Sequence, residues 1–246
     1  MMFCNGKSII MIVTFALMFI TNLLSAIADN ACYPKVDLKQ AQYFIGYGSL
    51  MKEAEKRQYG NTTGLNLPVY VKGFQREWSA RGPNVGITLA ATFLGVSVNK
   101  DATMAASIFR ILNSKDVTSL DEHEFFYCRH AVDRKLISMA DGTAVPAGQF
   151  WIYVTRPEYH KKPSANYPIT QYYADIFLEG CAELEDKFNL SDFLKDCVKT
   201  TAFWSEHWVN DRLYPRSALL VMPNALRIDK ILQQELPNEF KSRNVE

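Results

Sequence analysis

The chain has 246 residues, of which 48% are hydrophobic and 22% are charged. These are ordinary values for a globular protein, and they exclude a disordered, collagenous or coiled-coil chain. The 27 basic and 26 acidic residues leave a formal net charge of +1. The chain therefore lacks the basic excess with which a dedicated nucleic-acid-binding protein neutralises phosphates, and we expect no nucleic-acid partner.

Residues 1–28 have the three-part layout of a secretory signal peptide. Lys7 precedes an apolar run over Ile9–Ile20, and Ala26 and Ala28 occupy the −3 and −1 positions of an A-x-A cleavage site. An uncleaved membrane anchor is the alternative, but the apolar run is shorter than the roughly 20 residues that a span requires. We expect cleavage, no stable membrane span afterwards, and a secreted or periplasmic protein.

Four cysteines follow the predicted signal peptide, and an oxidising compartment would allow one or two disulfides. They are Cys32, Cys128, Cys181 and Cys197. Three complete pairings are possible, and the sequence does not choose among them. Because the chain contains no C-x-x-C motif, it indicates neither a zinc site nor a catalytic dithiol. We expect the cysteines to be structural.

The segment 29–246 contains no repeat or linker and is predicted to form a single domain, with strands first. A buried strand is predicted over Gln42–Gly46, which is short, apolar and rich in aromatic residues. A helix with Ser49 as its N-cap is predicted over Leu50–Gln58. Further strands are predicted over 68–74, 87–98 and 105–112, a short helix over 115–123, and a hairpin over 135–154.

The clearest predicted helix covers Thr170–Phe188, where apolar residues recur at intervals of three and four and Thr170 is a suitable N-cap. A second helix is predicted over about 192–201, capped by Ser191. Strands dominate the first half of the chain and helices the later part. This order suggests an α+β domain whose sheet could close into a barrel.

The segment Phe44–Leu50 is the first that could carry chemistry. A strand that enters a glycine turn and then a helix leaves backbone N–H groups unpaired, and such a loop suits a carboxylate or a phosphate. It is not a P-loop, because the G-K-S/T signature is missing. The alternative is an ordinary strand-to-helix turn that needs glycine for its backbone angles.

The segment Leu120–His130 is the second, with three carboxylates beside aromatic residues: Asp121, Glu122 and Glu124. If the preceding helix ends near residue 123, Glu124 lies where the chain turns into a strand, and Phe125 and Phe126 could shield it from water. A carboxyl group in an apolar pocket has a raised pKa and can act as a general acid or base. The alternative is a solvated helix end with an ion pair to Arg129 or Arg134.

Taken together and in this order, the two segments resemble the γ-glutamylcyclotransferase superfamily. Tyr47-Gly48-Ser49-Leu50 matches its Y-G-S-N/L loop. Leu120-Asp121, followed by Glu124, Tyr127 and Arg129, resembles its L-D-x-x-E…Y-x-R stretch. Val71–Phe74 resembles the V-x-G-F/R strand, and 167–180 resembles the Y-P-I-x-x-Y…G helix of ChaC-type members. The resemblance covers about residues 42–220.

This resemblance implies a small mixed β-barrel with flanking helices and an enzyme that cyclises γ-glutamyl groups. In that reaction the α-amine attacks its own γ-carbonyl, 5-oxoproline forms, and an amine or amino acid leaves. Glu124 would be the general acid and base. The substrate would be held by Tyr47, Gly48, Ser49, Leu50 and Tyr127. The implied partner is a small γ-glutamyl substrate, and no cofactor or metal is implied.

Two other functions stay open. A non-catalytic exported binding protein with the same fold would hold a γ-glutamyl or amino-acid-like ligand, and a γ-glutamyl hydrolase would release glutamate rather than 5-oxoproline. The family is best known for cytosolic substrates of the glutathione type, so the predicted export leaves the substrate open. The element Trp208–Arg212 receives no predicted role.

Overall fold

The structure, a computed structural model, describes residues 32–57, 63–81, 90–113, 115–214 and 222–245. The predicted signal peptide lies outside these residues. The chain divides into two compact units, Met1–Val36 and Asp37–Glu246, and every element named below belongs to the second. Within the described ranges, no helix has both the length and the apolar character that crossing a bilayer requires.

The described residues form ten strands and six α-helices. The strands are β1 Gln42–Gly46, β2 Leu67–Ala80, β3 Phe93–Ile111, β4 Tyr127–Val132, β5 Ile137–Met139, β6 Gln149–Thr155, β7 Ile169–Thr170, β8 Thr201–Ala202, β9 Trp208–Asn210 and β10 Asn244–Val245. The helices are α1 Glu53–Lys56, α2 Lys115–His123, α3 Gln171–Lys187, α4 Phe193–Lys199, α5 Ala225–Glu235 and α6 Pro237–Lys241. Single 3₁₀ turns cover Ser49–Met51, Arg134–Leu136 and Pro157–Tyr159.

The main sheet is mixed, with seven strands in the order β4-β6-β1-β3-β2-β5 and β8 beside β2. The central strand β1 runs parallel to β6 and antiparallel to β3. The predicted α+β class is confirmed, but the sheet is not closed into the predicted barrel. Closure needs an unbroken ring of strand pairs, and within the described residues the edge strands β4 and β5 each pair on one side only.

One long strand replaces two predicted ones. The strands expected over 87–98 and 105–112 are parts of β3, and residues 87–89 lie outside the described residues. Residues 99–102, of which the first three are polar, interrupt the apolar pattern because they form a bulge opposite Gly73 of β2. Gly73 has a φ of +90°, which suits glycine at such a break.

Helix α3 is confirmed within one residue at each end, but its predicted cap is wrong. The side chain of Thr170 makes no capping hydrogen bond. Instead a buried residue from far along the chain, Asp211, accepts a 2.9 Å hydrogen bond from the backbone N–H of Tyr172 in the first turn. A carboxylate at this position also interacts favourably with the helix dipole.

A disulfide joins α3 to α4 in the core between the sheet and the helices. It links Cys181 and Cys197, whose Cα atoms are 6.6 Å apart, and both residues are fully buried. The loop it closes spans 16 residues, a length for which the chain-entropy model gives about 3 kcal/mol of stabilisation. The structure thus selects one of the pairs that the sequence left open.

The element Trp208–Arg212 is structural. Arg212 donates to both carboxylate oxygens of Asp175 on α3, at 2.6 and 2.8 Å, and to Asp229 on α5 at 2.7 Å. Asp175 is buried, and a bidentate pair with arginine is the strong form of such a contact. The charged cluster near the C-terminus therefore ties α5 to α3.

Candidate active site

A small cavity, partly open to solvent, lies where the C-terminal end of β1 meets the start of β4 and the first turn of α3. The residues that line it are Ile45, Tyr47, Gly48, Ser49, Leu50, Leu94, Glu124, Tyr127, Tyr153 and Tyr173. All six residues predicted for the site, Tyr47, Gly48, Ser49, Leu50, Glu124 and Tyr127, are among them.

The loop after β1 forms one side of the cavity. A 3₁₀ turn covers Ser49–Met51, and its first hydrogen bonds run from Met51 N–H to Gly48 O and from Lys52 N–H to Ser49 O, both at 3.0 Å. The helix predicted over Leu50–Gln58 is therefore wrong in its first turn. Ser49 begins the turn rather than capping it, and α1 follows only at Glu53.

The space around Gly48 is too small for a side chain. A Cβ atom added at this position would lie 2.9 Å from the hydroxyl oxygen of Tyr173, closer than such contacts occur. Tyr173 lies in the first turn of α3, so the loop and the helix approach each other here across the cavity. A side chain at residue 48 would displace the tyrosine and change the shape of the cavity.

A buried polar network, which no local sequence pattern predicts, holds the loop on the side away from the cavity. Asn66, which is fully buried, donates from its amide to Leu50 O at 3.1 Å and to Met51 O at 2.7 Å. The buried Lys56 donates to the side-chain oxygen of Asn66 at 3.1 Å. The backbone N–H of Asn66 in turn donates to the carboxylate of Glu53 at 2.6 Å. These bonds satisfy the two carbonyls that the short turn leaves unpaired.

Glu124 lies in the turn that the sequence predicted. Helix α2 ends at His123, the N–H of Glu124 donates to Leu120 O at 2.9 Å, and its carbonyl accepts from Tyr127 N–H at 2.9 Å. Strand β4 then begins at Tyr127, which fixes the glutamate between a helix end and a paired strand.

Burial raises the pKa of Glu124 from its ordinary value of 4.5 to about 7. The residue as a whole is partly exposed, while its carboxyl group is buried in the cavity. The predicted shielding by Phe125 and Phe126 is wrong, because neither lines the cavity and Phe125 is 47% exposed. Tyrosines from the loop after β1 and from β4, β6 and α3 line the cavity around it instead.

The predicted alternative of a solvated ion pair does not describe Glu124. Arg129 lies 3.2 Å from the carboxylate of Asp121, one turn earlier on α2, and Arg134 donates to the carbonyl of Pro146 at 3.0 Å. Burial rather than a neighbouring charge is the cause of the shift at Glu124. Its carboxyl group is therefore poised to take up and release a proton near neutral pH.

Three tyrosines of the cavity donate their hydroxyl protons to the protein. Tyr47 donates to the carbonyl of Tyr153 at 2.8 Å, and Tyr127 donates to the carbonyl of Leu94 at 3.0 Å. Tyr153 donates to Asp121 at 2.7 Å. Sequence reasoning missed Tyr153, Leu94 and the cavity role of Tyr173, since strand pairing and helix packing bring these residues in from distant parts of the chain.

No protein-family model and no curated protein sequence matches the chain. Among solved structures, a γ-glutamyl cyclotransferase is similar over 65% of this chain and 99% of its own, with 13% identity and a TM-score of 0.48. A glutathione-specific γ-glutamyl cyclotransferase from yeast covers 66% of this chain and 98% of its own, at 13% identity and a TM-score of 0.40. The similarity to an AIG2-like mouse protein covers 52% of this chain and 92% of the mouse protein, at 16% identity and a TM-score of 0.35.

Proposed function

We propose that the protein cyclises γ-glutamyl groups to 5-oxoproline and releases the amine or amino acid to which they were attached. The observation that carries the proposal is the buried carboxyl group of Glu124, whose pKa is about 7, facing the Tyr47–Leu50 loop across one cavity. A general base is most effective when its pKa lies near the working pH. The sequence resemblance supports the same two segments in the same roles.

In the proposed reaction Glu124 acts twice. Its carboxylate first takes a proton from the α-ammonium group of the substrate, and the freed amine attacks the γ-carbonyl carbon. The new C–N bond closes a five-membered lactam, and the bond to the leaving amine breaks as Glu124 returns the proton to it. The ring nitrogen loses a second proton, which Glu124 passes to the released amine in the same way. One ammonium proton thus stays on the lactam nitrogen, two end on the leaving amine, and no water is consumed.

The loop after β1 is proposed to bind the α-carboxylate of the substrate. The N–H groups of Ser49 and Leu50 precede the first hydrogen bond of the 3₁₀ turn, so the turn itself offers them no acceptor. Anchoring the carboxylate here would orient the α-amine and the γ-carbonyl toward each other. Such positioning can supply several kcal/mol of the barrier reduction.

Incubation of the purified protein with glutathione and a panel of γ-glutamyl dipeptides tests the proposal. We expect 5-oxoproline to appear together with one equivalent of released amine, and we expect Glu124→Gln to abolish both. Release of free glutamate would instead identify a hydrolase. Saturable binding of a γ-glutamyl ligand without any product would identify a binding protein of the same fold.

We further propose that the protein acts outside the cytoplasm, on the basis of the signal-peptide pattern in residues 1–28. N-terminal sequencing of the protein recovered from its native source should give Asp29 as the first residue. Recovery of the intact N-terminus from a soluble cytoplasmic fraction would contradict this localisation.

A further inference from the structure

The tyrosine hydroxyls around the cavity are oriented, and their orientation decides what the cavity can bind. A phenol has one proton to donate and two lone pairs that accept. Tyr47 and Tyr127 give their protons to backbone carbonyls, which can only accept. Tyr153 gives its proton to Asp121. Each of these oxygens is therefore left with acceptor capacity alone.

Asp121 is held as a charged acceptor by its own partner. Arg129 lies 3.2 Å from the same carboxylate oxygen that accepts from Tyr153, and Arg129 is itself buried against the ring of Trp151. Removing a buried arginine's partner is costly, so the carboxylate form of Asp121 is favoured. A carboxylate cannot donate a hydrogen bond, so in the bond between the two residues the Tyr153 hydroxyl must be the donor.

The phenol oxygens and the Glu124 carboxyl group form one electrostatic cluster. Burial raises the pKa of Tyr47, Tyr127 and Tyr153, and the nearby Glu124 raises all three further. The phenols therefore stay protonated at neutral pH, with their protons directed into the protein. The cavity therefore presents three phenol oxygens with acceptor capacity beside the carboxyl group of Glu124, which matches a group that carries several donors and a positive charge.

From this geometry we infer that the phenol oxygens, with Tyr153 as the principal one, accept hydrogen bonds from the α-ammonium group of the substrate. Asp121 is a positioning residue, which never touches the substrate and acts by holding Tyr153 as an acceptor. The inference rests on the proposed function only for the choice of ligand. The inference itself is that the cavity distinguishes an ammonium group from a neutral group of the same size.

Calorimetric titration with L-glutamate and with L-2-hydroxyglutarate tests this, because the two differ only by ammonium against hydroxyl and neither has a γ-amide to cyclise. At about pH 8 Glu124 is ionised, and wild type should prefer glutamate. Loss of a hydrogen bond to a charged group should reduce that preference about 10-fold to 100-fold in Tyr153→Phe. Asp121→Ala, which removes the acceptor, should reduce it similarly, and the double variant should be no worse than Tyr153→Phe alone.

Tyr70→Phe is the matched control. Its hydroxyl donates to Asp196 at 2.6 Å, so it is a tyrosine–aspartate pair of the same kind that does not line the cavity. The preference of Tyr70→Phe for glutamate over 2-hydroxyglutarate should equal that of wild type. If Tyr153→Phe does not fold, Tyr127→Phe replaces it and should show the same direction of change. Thermal unfolding of every variant separates loss of fold from loss of discrimination.

An unchanged preference in folded Tyr153→Phe would overturn the inference, as would equal affinity of wild type for both ligands. Losses in Asp121→Ala and Tyr153→Phe that multiply in the double variant would also overturn it, since Asp121 would then act by another route. Absence of 5-oxoproline with the expected preferences intact would refute the proposed function and leave the inference standing.

Discussion

Replacing Glu124 by glutamine tests two properties of one carboxyl group, its chemistry and its burial. The substitution keeps the shape of the side chain and removes its ability to titrate. If Glu124 is the general base, kcat should fall by about 10²–10⁴-fold. The same variant should change stability in a way that depends on pH, because burial raises the pKa of this group from 4.5 to about 7 in the folded protein.

The sign and size of the stability effect follow from proton linkage. Between pH 4.5 and about 7, the folded protein keeps on Glu124 a proton that the unfolded chain releases. The free energy of unfolding of wild type therefore decreases as pH rises through this interval, and the loss is complete above it. A tenfold change in an acid constant is worth about 1.4 kcal/mol, so the full effect is about 3 kcal/mol.

Glutamine does not titrate, so Glu124→Gln should escape this loss. The free energy of unfolding of the variant relative to wild type should be about 3 kcal/mol more favourable near pH 8 than near pH 4. Urea denaturation of both proteins at the two pH values measures it. Glu122→Gln, two residues earlier and exposed, is the control and should show neither the pH-dependent gain nor the loss of activity.

The stability and the activity of Glu124→Gln test separate parts of the reasoning. A stability difference that is the same at both pH values would show that the carboxyl group is not buried. A variant within a few-fold of wild-type activity would remove Glu124 as the base, even if the stability result is as expected. A gain in stability with a loss of activity is the signature of a residue whose burial costs the fold and serves the reaction.

Three further predictions concern the same site and its surroundings. The pH profile of kcat/KM should fall about tenfold per pH unit below an apparent pKa of about 7, and a profile flat from about pH 5 to 8 would contradict this. Gly48→Val should raise KM and lower kcat with little loss of thermal stability, because a Cβ atom there clashes only with the hydroxyl end of Tyr173 and meets Leu94 at ordinary contact distances; lower stability with unchanged kinetics would assign Gly48 to the turn alone. Cys197→Ser should lower the free energy of unfolding by about 2–4 kcal/mol and leave kcat nearly unchanged, as urea denaturation and steady-state assays would measure.

The sequence predicted the parts of the site that depend on neighbouring residues. The strand Gln42–Gly46, the end of α2 at His123 and the long helix α3 each follow from a local pattern of apolar, glycine and polar residues. The two motifs therefore fall at the ends of regular elements, as expected. Their meeting in one cavity could be anticipated only from the family resemblance.

The helix caps predicted at Ser49, Thr170 and Ser191 were all wrong. These are suitable residue types beside helix starts, yet none of the three side chains caps a helix. At the start of α3 the buried Asp211 accepts from the backbone N–H of Tyr172 instead, and at the start of α4 Glu185 accepts from that of Leu194. A local pattern cannot reveal that a distant side chain satisfies a backbone group, because tertiary structure provides the contact.

Two carboxyl groups three residues apart, Asp121 on α2 and Glu124 just after it, have different partners, and this difference assigns their roles. Burial raises the pKa of Asp121, but a hydrogen bond from Tyr153 and the charge of Arg129 oppose the effect. Burial of Glu124 has no such opposition and raises its pKa to about 7. Different environments give two neighbouring carboxyl groups different pKa values, and that difference indicates which of them acts as the acid or base. Here the group that exchanges protons is Glu124. Asp121 pairs with Arg129 and orients Tyr153, so substitutions at Asp121 and at Glu124 should affect different steps.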